Sequence, residues 1–422
     1  MPLRPCVSAG KNISRAKALR RREKSVTSIF MARYDCDRHG SQAESNQTEV
    51  ILAHPHAAHL AGALPGGVHP GVASDKQKHA EPRLVAWETT RNCNLNCAHC
   101  RASATMGPYS GELDTSASFR LLDQIREAGQ PIVILTGGEP LLRPDIFDIA
   151  KYGTDKGLRM VMAPNGTLVN DENAAKMKTS GIQRVSISLD GATPERHDSF
   201  RGVAGAYEAA LKGIQSAKKA GIEFQVNTTI SRLNYDQIPA ILKLAESLGA
   251  VALHIFLLVP TGRGKYIIDQ EISSAEYETT LDWFYDQRDK TRLQLKATCA
   301  PHYYRILRQR AKTDGKSVSF QTHGLDAVTR GCLGGTGFCF ISHTGVVQPC
   351  GFLDLNCGDV TRESFADIWK NSKIFKYLRN YSNLKGKCGV CEYKGVCGGC
   401  RARAFESTGD YLAEEPLCKY QP

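Results

Sequence analysis

No run of the 422-residue sequence approaches the roughly 18 consecutive apolar residues that a membrane-spanning helix requires. No basic stretch followed by an apolar one has the pattern of a secretory signal peptide. With 41% hydrophobic and 23% charged residues, the composition is ordinary for a globular protein in water. We therefore expect a cytoplasmic protein without a membrane partner, built as one large domain with one or two smaller ones.

The formal net charge is +11, but the sequence lacks an even distribution of basic residues along the chain. Residues 1–30 alone contain eight Lys or Arg, so much of the excess belongs to this first segment. We therefore expect no nucleic-acid partner. Residues 1–80 show no sustained apolar periodicity, which predicts a disordered or poorly ordered leader.

From residue 83 apolar strand-like runs alternate with segments that have the periodicity of amphipathic helices. The strand-like runs are "LVAWETT", "IVILTG", "LRMVMAP", "RVSISLD", "FQVNTTI" and "ALHIFLLVP". Six successive strand–helix units predict a parallel sheet with right-handed crossovers. Because six strands are too few for an eight-stranded barrel, the fold is a partial barrel or an open doubly wound sheet. In either case the reactive residues follow the carboxyl ends of the strands.

The fifteen cysteines are odd in number and grouped in short motifs, which argues against a disulfide framework and favours metal or cluster binding. Cys93, Cys97 and Cys100 lie in "RNCNLNCAHC", directly after the first strand-like run. Thiolates are soft ligands that select zinc, copper(I) or iron–sulfur clusters. Three thiolates do not complete a closed zinc site. In a four-iron cluster they leave one iron open, which is a catalytic arrangement.

This loop resembles the CxxxCxxC motif of the radical S-adenosylmethionine (radical SAM) superfamily, whose members fold as a partial (β/α)6 barrel. The resemblance implies that Cys93, Cys97 and Cys100 hold a [4Fe-4S] cluster that cleaves SAM. It also implies contacts to SAM from later motifs, although each motif alone could be an ordinary turn or helix start. These contacts are His99 beside the last cysteine, Gly137, Gly138 and Glu139 of "TGGEP", Asn165 of "PNG", Ser188 and Asp190 of "SLDG", and Thr261 of "VPTG".

Of the nine cysteines that follow residue 330, eight form an array, with Cys357 set apart, and by itself this array would suit zinc ribbons as well as clusters. Beside a radical SAM barrel the array resembles the SPASM extension, which binds one or two auxiliary [4Fe-4S] clusters. The spacing between Cys397 and Cys400 is one residue shorter than in that pattern. The resemblance implies two sets of ligands, namely Cys332, Cys339, Cys350 and Cys400 for one cluster, and Cys388, Cys391, Cys397 and Cys418 for the other.

From about residue 83 to its end the chain resembles the radical SAM haem b synthases of the sirohaem-dependent haem pathway. The stretches that carry this include "ILTGGEPLLRPDIFDIAKYG", "FLLVPTGRGK", "LKATCAPHYYRILRQRA" and "CGGCRARAFESTGDYLAEEPLC". The resemblance implies an oxidoreductase that turns two propionates of iron-coproporphyrin III into the vinyl groups of haem b. A low-potential ferredoxin or flavodoxin would supply electrons. We expect Cys299, His302, Arg263 and Lys265 to contact the substrate.

The predicted organisation is a leader over residues 1–80, a radical SAM barrel over 81–270, a helical bridge over 271–325 and a Cys-rich SPASM-type domain over 326–422. Two alternatives keep the chemistry and change the substrate, to another tetrapyrrole (a haem d1 precursor or didecarboxysirohaem) or to a peptide. A third, from a different class, is a non-catalytic zinc or cluster-binding protein, which would not cleave SAM.

Overall fold

The computed structural model describes residues 81–422, so the predicted leader lies outside the described residues. The strands of this part are β1 (Leu84–Thr90), β2 (Ile132–Gly137), β3 (Arg159–Met162), β4 (Arg184–Ser188), β5 (Glu223–Ile230), β6 (Ala252–Leu257), β7 (Gln294–Thr298), β8 (Phe338–Ile341), β9 (Val346–Gln348) and β10 (Gly358–Asp359). They form one sheet in the order β10-β9-β8-β1-β2-β3-β4-β5-β6-β7.

Strands β1 to β7 pair in parallel and in chain order, as expected for repeated strand–helix units. All six predicted strands are present, and the predicted partial barrel is confirmed. Strand β7 is an addition, because the sequence analysis assigned its residues to a helical bridge. Its side chains alternate, with Leu295 and Ala297 packed against the core and Lys296 on the opposite face. The sequence of β7 is mostly polar, so it lacks the apolar run from which the other six strands were predicted.

The helices α1 to α6 connect the first six strands, α7 leads into β7, and the remaining helices follow that strand. They are α1 (Thr115–Ala128), α2 (Ile146–Asp155), α3 (Asp171–Thr179), α4 (Pro194–Arg201), α5 (Ala206–Lys219), α6 (Ile238–Leu248), α7 (Ser274–Asp286), α8 (His302–Thr313), α9 (Phe320–His323), α10 (Leu325–Val328), α11 (Phe365–Asn371), α12 (Lys373–Arg379), α13 (Gly386–Val390) and α14 (Arg401–Thr408). Between residues 81 and 422 no helix combines the length and apolarity needed to cross a bilayer.

Helices α1, α2, α3, α5, α6 and α7 contribute buried apolar side chains to the main core. In α1, for example, Leu121, Leu122 and Ile125 are buried, and the Asp114 side chain caps the helix by accepting a hydrogen bond from the Ala117 N–H. The inner face of the sheet is polar. On this face Asn227 of β5, His254 of β6 and Lys296 of β7 are partners in register across the three strands. The fold thus places its polar side chains inside the partial barrel.

A buried hydrogen bond joins the C-terminal segment to the barrel. Strand β8 pairs in parallel with β1, and just beyond it His343 Nδ1 lies 2.9 Å from Glu88 Oε2. Burial alone would raise the pKa of Glu88, but the hydrogen bond with His343 and the charges of Arg101 and Arg91 lower it to about 2. The C-terminal domain is therefore continuous with the sheet, and the contact between His343 and Glu88 holds it beside β1.

We predict that Glu88→Gln destabilises the protein by about 3 kcal/mol, because it removes one charge from a buried cluster of ionic groups. The pKa of Glu88 lies below its normal value of 4.5, so its stabilisation is complete above that pH and declines as the pH falls toward 2. Anaerobic urea unfolding of the cluster-loaded protein at pH 7 measures it in full. Asp155→Asn, which breaks an exposed pair with Lys151, is the control and changes stability by less than about 0.5 kcal/mol. Equal effects of the two substitutions would contradict the prediction.

Candidate functional site

The three clustered cysteines lie in the loop that follows β1, and backbone N–H groups point at their sulfur atoms. Leu95 N donates to Cys93 Sγ at 3.4 Å, and Ala104 N donates to Cys100 Sγ at 3.4 Å. Burial, together with the charges of Glu139, Cys97 and Cys100, raises the pKa of Cys93 to about 11, although the hydrogen bond from Leu95 N–H lowers it. A buried thiol of this kind loses its proton only to a strongly positive partner such as a metal, and the N–H donors suit the thiolate that results.

The same three cysteines line a cavity with a volume of about 210 Å³ inside the mouth of the partial barrel. The other walls come from loops at the carboxyl ends of β2 to β6. Of the residues predicted to contact SAM, His99, Gly137, Gly138, Asn165 and Ser188 line this cavity. Glu139, Asp190 and Thr261 are buried beside it and contact residues that line it, namely Asn165, Arg201 and Val259 respectively. The structure thus brings together residues as distant in the chain as Cys93 and Phe352, which are 259 positions apart.

Glu139 ties two of these loops together. Its carboxylate accepts a hydrogen bond from Leu141 N at 3.1 Å and another from Asn165 N at 2.6 Å. Asn165 in turn donates from Nδ2 to Asn94 Oδ1 in the cysteine loop at 2.8 Å. Burial raises the pKa of Glu139 to about 7, although both backbone donors lower it. A cationic group bound in the cavity would favour the carboxylate form.

The glycines of "TGGEP" allow the loop after β2 to pack against the cysteine loop by backbone alone. Gly138 N donates to Thr90 O at 2.8 Å, and Glu139 N donates to Asn92 O at 2.7 Å. A Cβ atom on Gly138 would lie 2.3 Å from Asn92 O, which is closer than any side chain permits. The second glycine is therefore required by close approach.

Arg201, at the end of α4, was not identified from the sequence. Its guanidinium donates to Cys97 Sγ at 3.5 Å and pairs with Asp190 at 2.5 Å. Burial raises the pKa of Cys97, whereas the charge of Arg201 lowers it. Next to it the ring of His99 stacks on Phe200, with ring centroids 4.4 Å apart. Burial and the charges of Arg201 and Arg263 hold the pKa of His99 well below its usual range, so the cavity wall presents a neutral ring. No recognisable motif surrounds Arg201, and only the fold brings it to the cysteines.

Two of the predicted substrate contacts have other partners in the structure. Arg263 lines the cavity, but its side chain donates to Cys97 O and Ala104 O, both at 2.8 Å. It thereby braces the cysteine loop. The ammonium of Lys265 is exposed and pairs with Glu406 at 3.0 Å.

A second set of cysteines surrounds a smaller cavity in the C-terminal domain. The thiols of Cys388, Cys391, Cys397 and Cys418 line it, which is the grouping expected from the sequence. Here too N–H donors face sulfur: Glu415 N donates to Cys388 Sγ at 3.4 Å, Tyr393 N to Cys391 Sγ at 3.4 Å, and Gly399 N to Cys397 Sγ at 3.5 Å.

His302, another predicted substrate contact, lines this second cavity and not the first. Its ring is buried, with the Tyr277 ring at 4.7 Å in an edge-on arrangement. Burial lowers the pKa of His302 to about 4, so the ring is neutral. The structure therefore separates His302 from the cysteine loop after β1.

The remaining predicted set is only partly assembled. Cys350 and Cys400 pack in one small apolar cluster, and burial raises the pKa of both, to about 11 for Cys400. The charges of Cys332 and Cys400 also raise the pKa of Cys350, which places these three thiols together. Cys339 lies elsewhere, in the main core among the residues of β8. Within residues 81–422 no three His, Cys, Asp or Glu side chains lie close enough to hold one metal ion.

Comparisons with known proteins match both the barrel and the Cys-rich C-terminal segment. A family model described as "Radical SAM superfamily" matches residues 87–245, and one described as "Iron-sulfur cluster-binding domain" matches residues 332–400. The "AdoMet-dependent heme synthase" of Nitratidesulfovibrio vulgaris is 58% identical over 340 residues, which cover 81% of this chain and 93% of that protein. The protein of the same name from Methanosarcina barkeri is 54% identical over 341 residues, covering 81% and 97%.

Among solved structures, Streptococcus suis SuiB bound to S-adenosylmethionine superimposes with a TM-score of 0.64 at 16% identity. The match covers 82% of this chain and 79% of that one. At this level of identity it shows that the two proteins share a fold.

We predict that Glu139→Gln weakens SAM binding to the cluster-loaded protein by about 10-fold to 100-fold. Both carboxylate oxygens accept backbone N–H groups, so an amide would turn its NH2 toward one of these donors and displace the Asn165 loop. Equilibrium dialysis under anaerobic conditions gives the affinity. Glu172→Gln removes an exposed carboxylate that pairs only with Lys176, and it should leave the affinity unchanged. Unaltered SAM affinity in Glu139→Gln would show that this carboxylate does not organise the site.

Proposed function

The chain belongs to the radical SAM superfamily and carries its iron–sulfur SPASM domain, and from this we propose that it oxidatively decarboxylates two propionates of iron-coproporphyrin III to give haem b. The observation that carries the proposal is the single cavity in which the cysteine loop meets the loops after β2 to β6. The two haem synthase relatives, each matched over most of its length, support the choice of a porphyrin substrate.

When bound, the cluster and SAM supply a 5′-deoxyadenosyl radical that removes a hydrogen atom from the substrate. At a propionate the hydrogen comes from the carbon next to the porphyrin ring, where the ring stabilises the unpaired electron. Loss of CO2 and of one electron then leaves a vinyl group. Two propionates therefore consume two molecules of SAM and release two electrons. The balance requires an electron acceptor, which the cysteine sets of the C-terminal domain are placed to hold.

We propose that the residues of the cavity have three separate tasks. Cys93, Cys97 and Cys100 hold the cluster, and Arg201 offsets the negative charge that builds up around Cys97. The Glu139 carboxylate and Asn165 hold the loops that receive the amino acid part of SAM. The neutral ring of His99 provides an apolar surface for its adenine. Because these groups are buried, water is kept from the radical.

Lys296 is the basic residue we propose for holding a propionate. It lies on the inner face of β7, in register beside His254 of β6, which in turn pairs with Asn227 of β5, a residue that lines the cavity. Burial lowers the pKa of Lys296, although the charge of Asp326 raises it. Among residues 81–422 no carboxylate lies within 4.0 Å of its ammonium, so a bound propionate would supply a closer counter-charge than Asp326 does. Arg263 and Lys265, by contrast, already have partners.

We place the enzyme in the cytoplasm, with a low-potential ferredoxin or flavodoxin as the electron donor for SAM cleavage. The donor gives one electron for each SAM, and each decarboxylation returns one.

The direct test is anaerobic turnover. The reconstituted protein is incubated with SAM, dithionite and iron-coproporphyrin III, and porphyrin mass and 5′-deoxyadenosine are followed by chromatography. We expect two successive losses of CO2 with two hydrogens, and about two 5′-deoxyadenosines per haem, because each vinyl group needs one hydrogen abstraction. SAM cleavage without porphyrin change would redirect the search to another tetrapyrrole or a peptide. A chain in which Cys93, Cys97 and Cys100 are replaced by Ala should cleave no SAM.

For the substrate contact we predict that Lys296→Met raises the KM for iron-coproporphyrin III about 10-fold to 100-fold, since a buried charge-assisted pair is lost. SAM affinity should stay the same, because the cofactor contacts lie in other loops. Lys316→Met removes an exposed ammonium beside Asp289 and serves as the matched control. An unchanged KM in Lys296→Met, or an equal effect in the control, would rule out this role.

A further inference from the structure

We infer that Cys299, and not Cys339, completes the first auxiliary set with Cys332, Cys350 and Cys400. The positions of these thiols in the fold support the assignment whichever porphyrin is the substrate. The resemblance to the SPASM extension implied Cys339 as the fourth member of that set.

Strand geometry turns Cys339 away from the other three cysteines. Side chains alternate along β8, and the ring of Phe340 faces the cysteine loop, where it lies 4.2 Å from the Arg101 guanidinium. Cys339 therefore points to the opposite face. There it is fully buried in the main core, in register with Val85 of β1, which is equally buried. The nearest cysteine whose charge affects its pKa is Cys357. Cys339 is thus an ordinary core residue.

Cys299 lies beside the other three cysteines of the set, from which Cys339 points away. It follows β7 directly and packs in the same apolar cluster as Cys350 and Cys400. Its carbonyl oxygen accepts hydrogen bonds from Tyr277 Oη at 3.1 Å and from the Arg403 guanidinium at 3.3 Å. Arg403 belongs to α14, whose first turn begins immediately after Cys400. These bonds fix the backbone of Cys299 against the start of that helix.

The fourth member, Cys332, is brought to the same place by a close backbone contact. A Cβ atom on Gly331 would lie 2.6 Å from the Cα of Pro301, so only glycine permits the approach. This contact packs the residue before Cys332 on the segment that follows Cys299. The charges of Cys400, Cys350 and Cys332 all raise the pKa of the Cys299 thiol above its usual range, as burial does, which agrees with four neighbouring sulfur atoms.

The backbone of Cys299 is held in an uncommon conformation. Its φ is +55°, a left-handed value that costs a residue with a side chain about 1 kcal/mol or more. The hydrogen bonds from Tyr277 and Arg403 to its carbonyl offset that cost. The turn reverses the chain at the end of β7 and leaves the thiol in the apolar cluster with Cys350 and Cys400.

Ligation by four thiolates has a chemical consequence. Each thiol would exchange its S–H bond for an S–Fe bond and release one proton. With Cys299 included, every iron of this cluster has a protein ligand and none is open to the substrate. The group held here would then transfer electrons and would not bind the porphyrin.

The test counts the iron held by the full chain in a background where Cys93, Cys97 and Cys100 are replaced by Ala, so that only auxiliary clusters remain. Two complete clusters give about 8 iron atoms per chain. Cys299→Ala and Cys339→Ala are added separately and examined before and after mild ferricyanide oxidation. Iron and acid-labile sulfide analysis and electron paramagnetic resonance (EPR) provide readouts that do not depend on turnover.

We expect Cys299→Ala to lose an unligated iron on oxidation, giving a three-iron EPR signal and about 7 iron atoms, or to lose the whole cluster and retain about 4. Cys339→Ala should retain about 8 and show no such signal. Retention of all iron in Cys299→Ala overturns the inference, as does loss of iron in Cys339→Ala. If circular dichroism shows that Cys299→Ala does not fold, Cys299→Ser is judged by the same criteria, with a changed EPR spectrum of one auxiliary cluster also counting in favour.

Discussion

The structure depends on direct backbone contact between the cysteine loop and its neighbours. Gly138 and Glu139 donate to carbonyl groups of that loop, and Arg263 donates to it from the opposite side. Such contacts fix the positions of the three thiols, and burial opposes the ionisation of two of them, Cys93 and Cys97. A loop that held its cysteines less firmly would expose them to water and lose the apolar surroundings that a radical requires. The glycines and the arginine are therefore as necessary to the site as the cysteines.

The C-terminal domain is built on the same sheet and shares its supports. Strand β8 extends the sheet beside β1, and the pair of Glu88 with His343 closes the joint. Helix α14 then returns to the barrel, where Arg403 contacts the ends of β6 and β7. The thiols of this domain are thus positioned by the barrel as much as by their own short motifs. A Gly-rich and Cys-rich segment of this kind has little apolar core of its own.

The sequence predicted the features that local patterns mark. It did not predict the features that depend on the direction in which a side chain points. Six strands were found because apolar runs and helical periodicity are local signals, whereas β7 is polar on the face that lines the barrel. The loops around the first cavity were found because short motifs mark the ends of strands. Cys339 and Cys299 show the limit, because spacing along the chain does not reveal the face of a strand to which a thiol points. Arg201 was missed because it reaches Cys97 only through the folding of α4.

Arg403 connects parts of the molecule that have separate tasks. Its guanidinium contacts the carbonyl groups of Leu257 and Leu258, which line the first cavity, and pairs with Glu415. The Glu415 carboxylate also accepts a hydrogen bond from Cys400 N, and the backbone N–H of Glu415 donates to Cys388 Sγ. Both auxiliary sets of cysteines therefore contact the same residue. Damage by oxygen at either set would therefore loosen a wall of the reaction chamber itself.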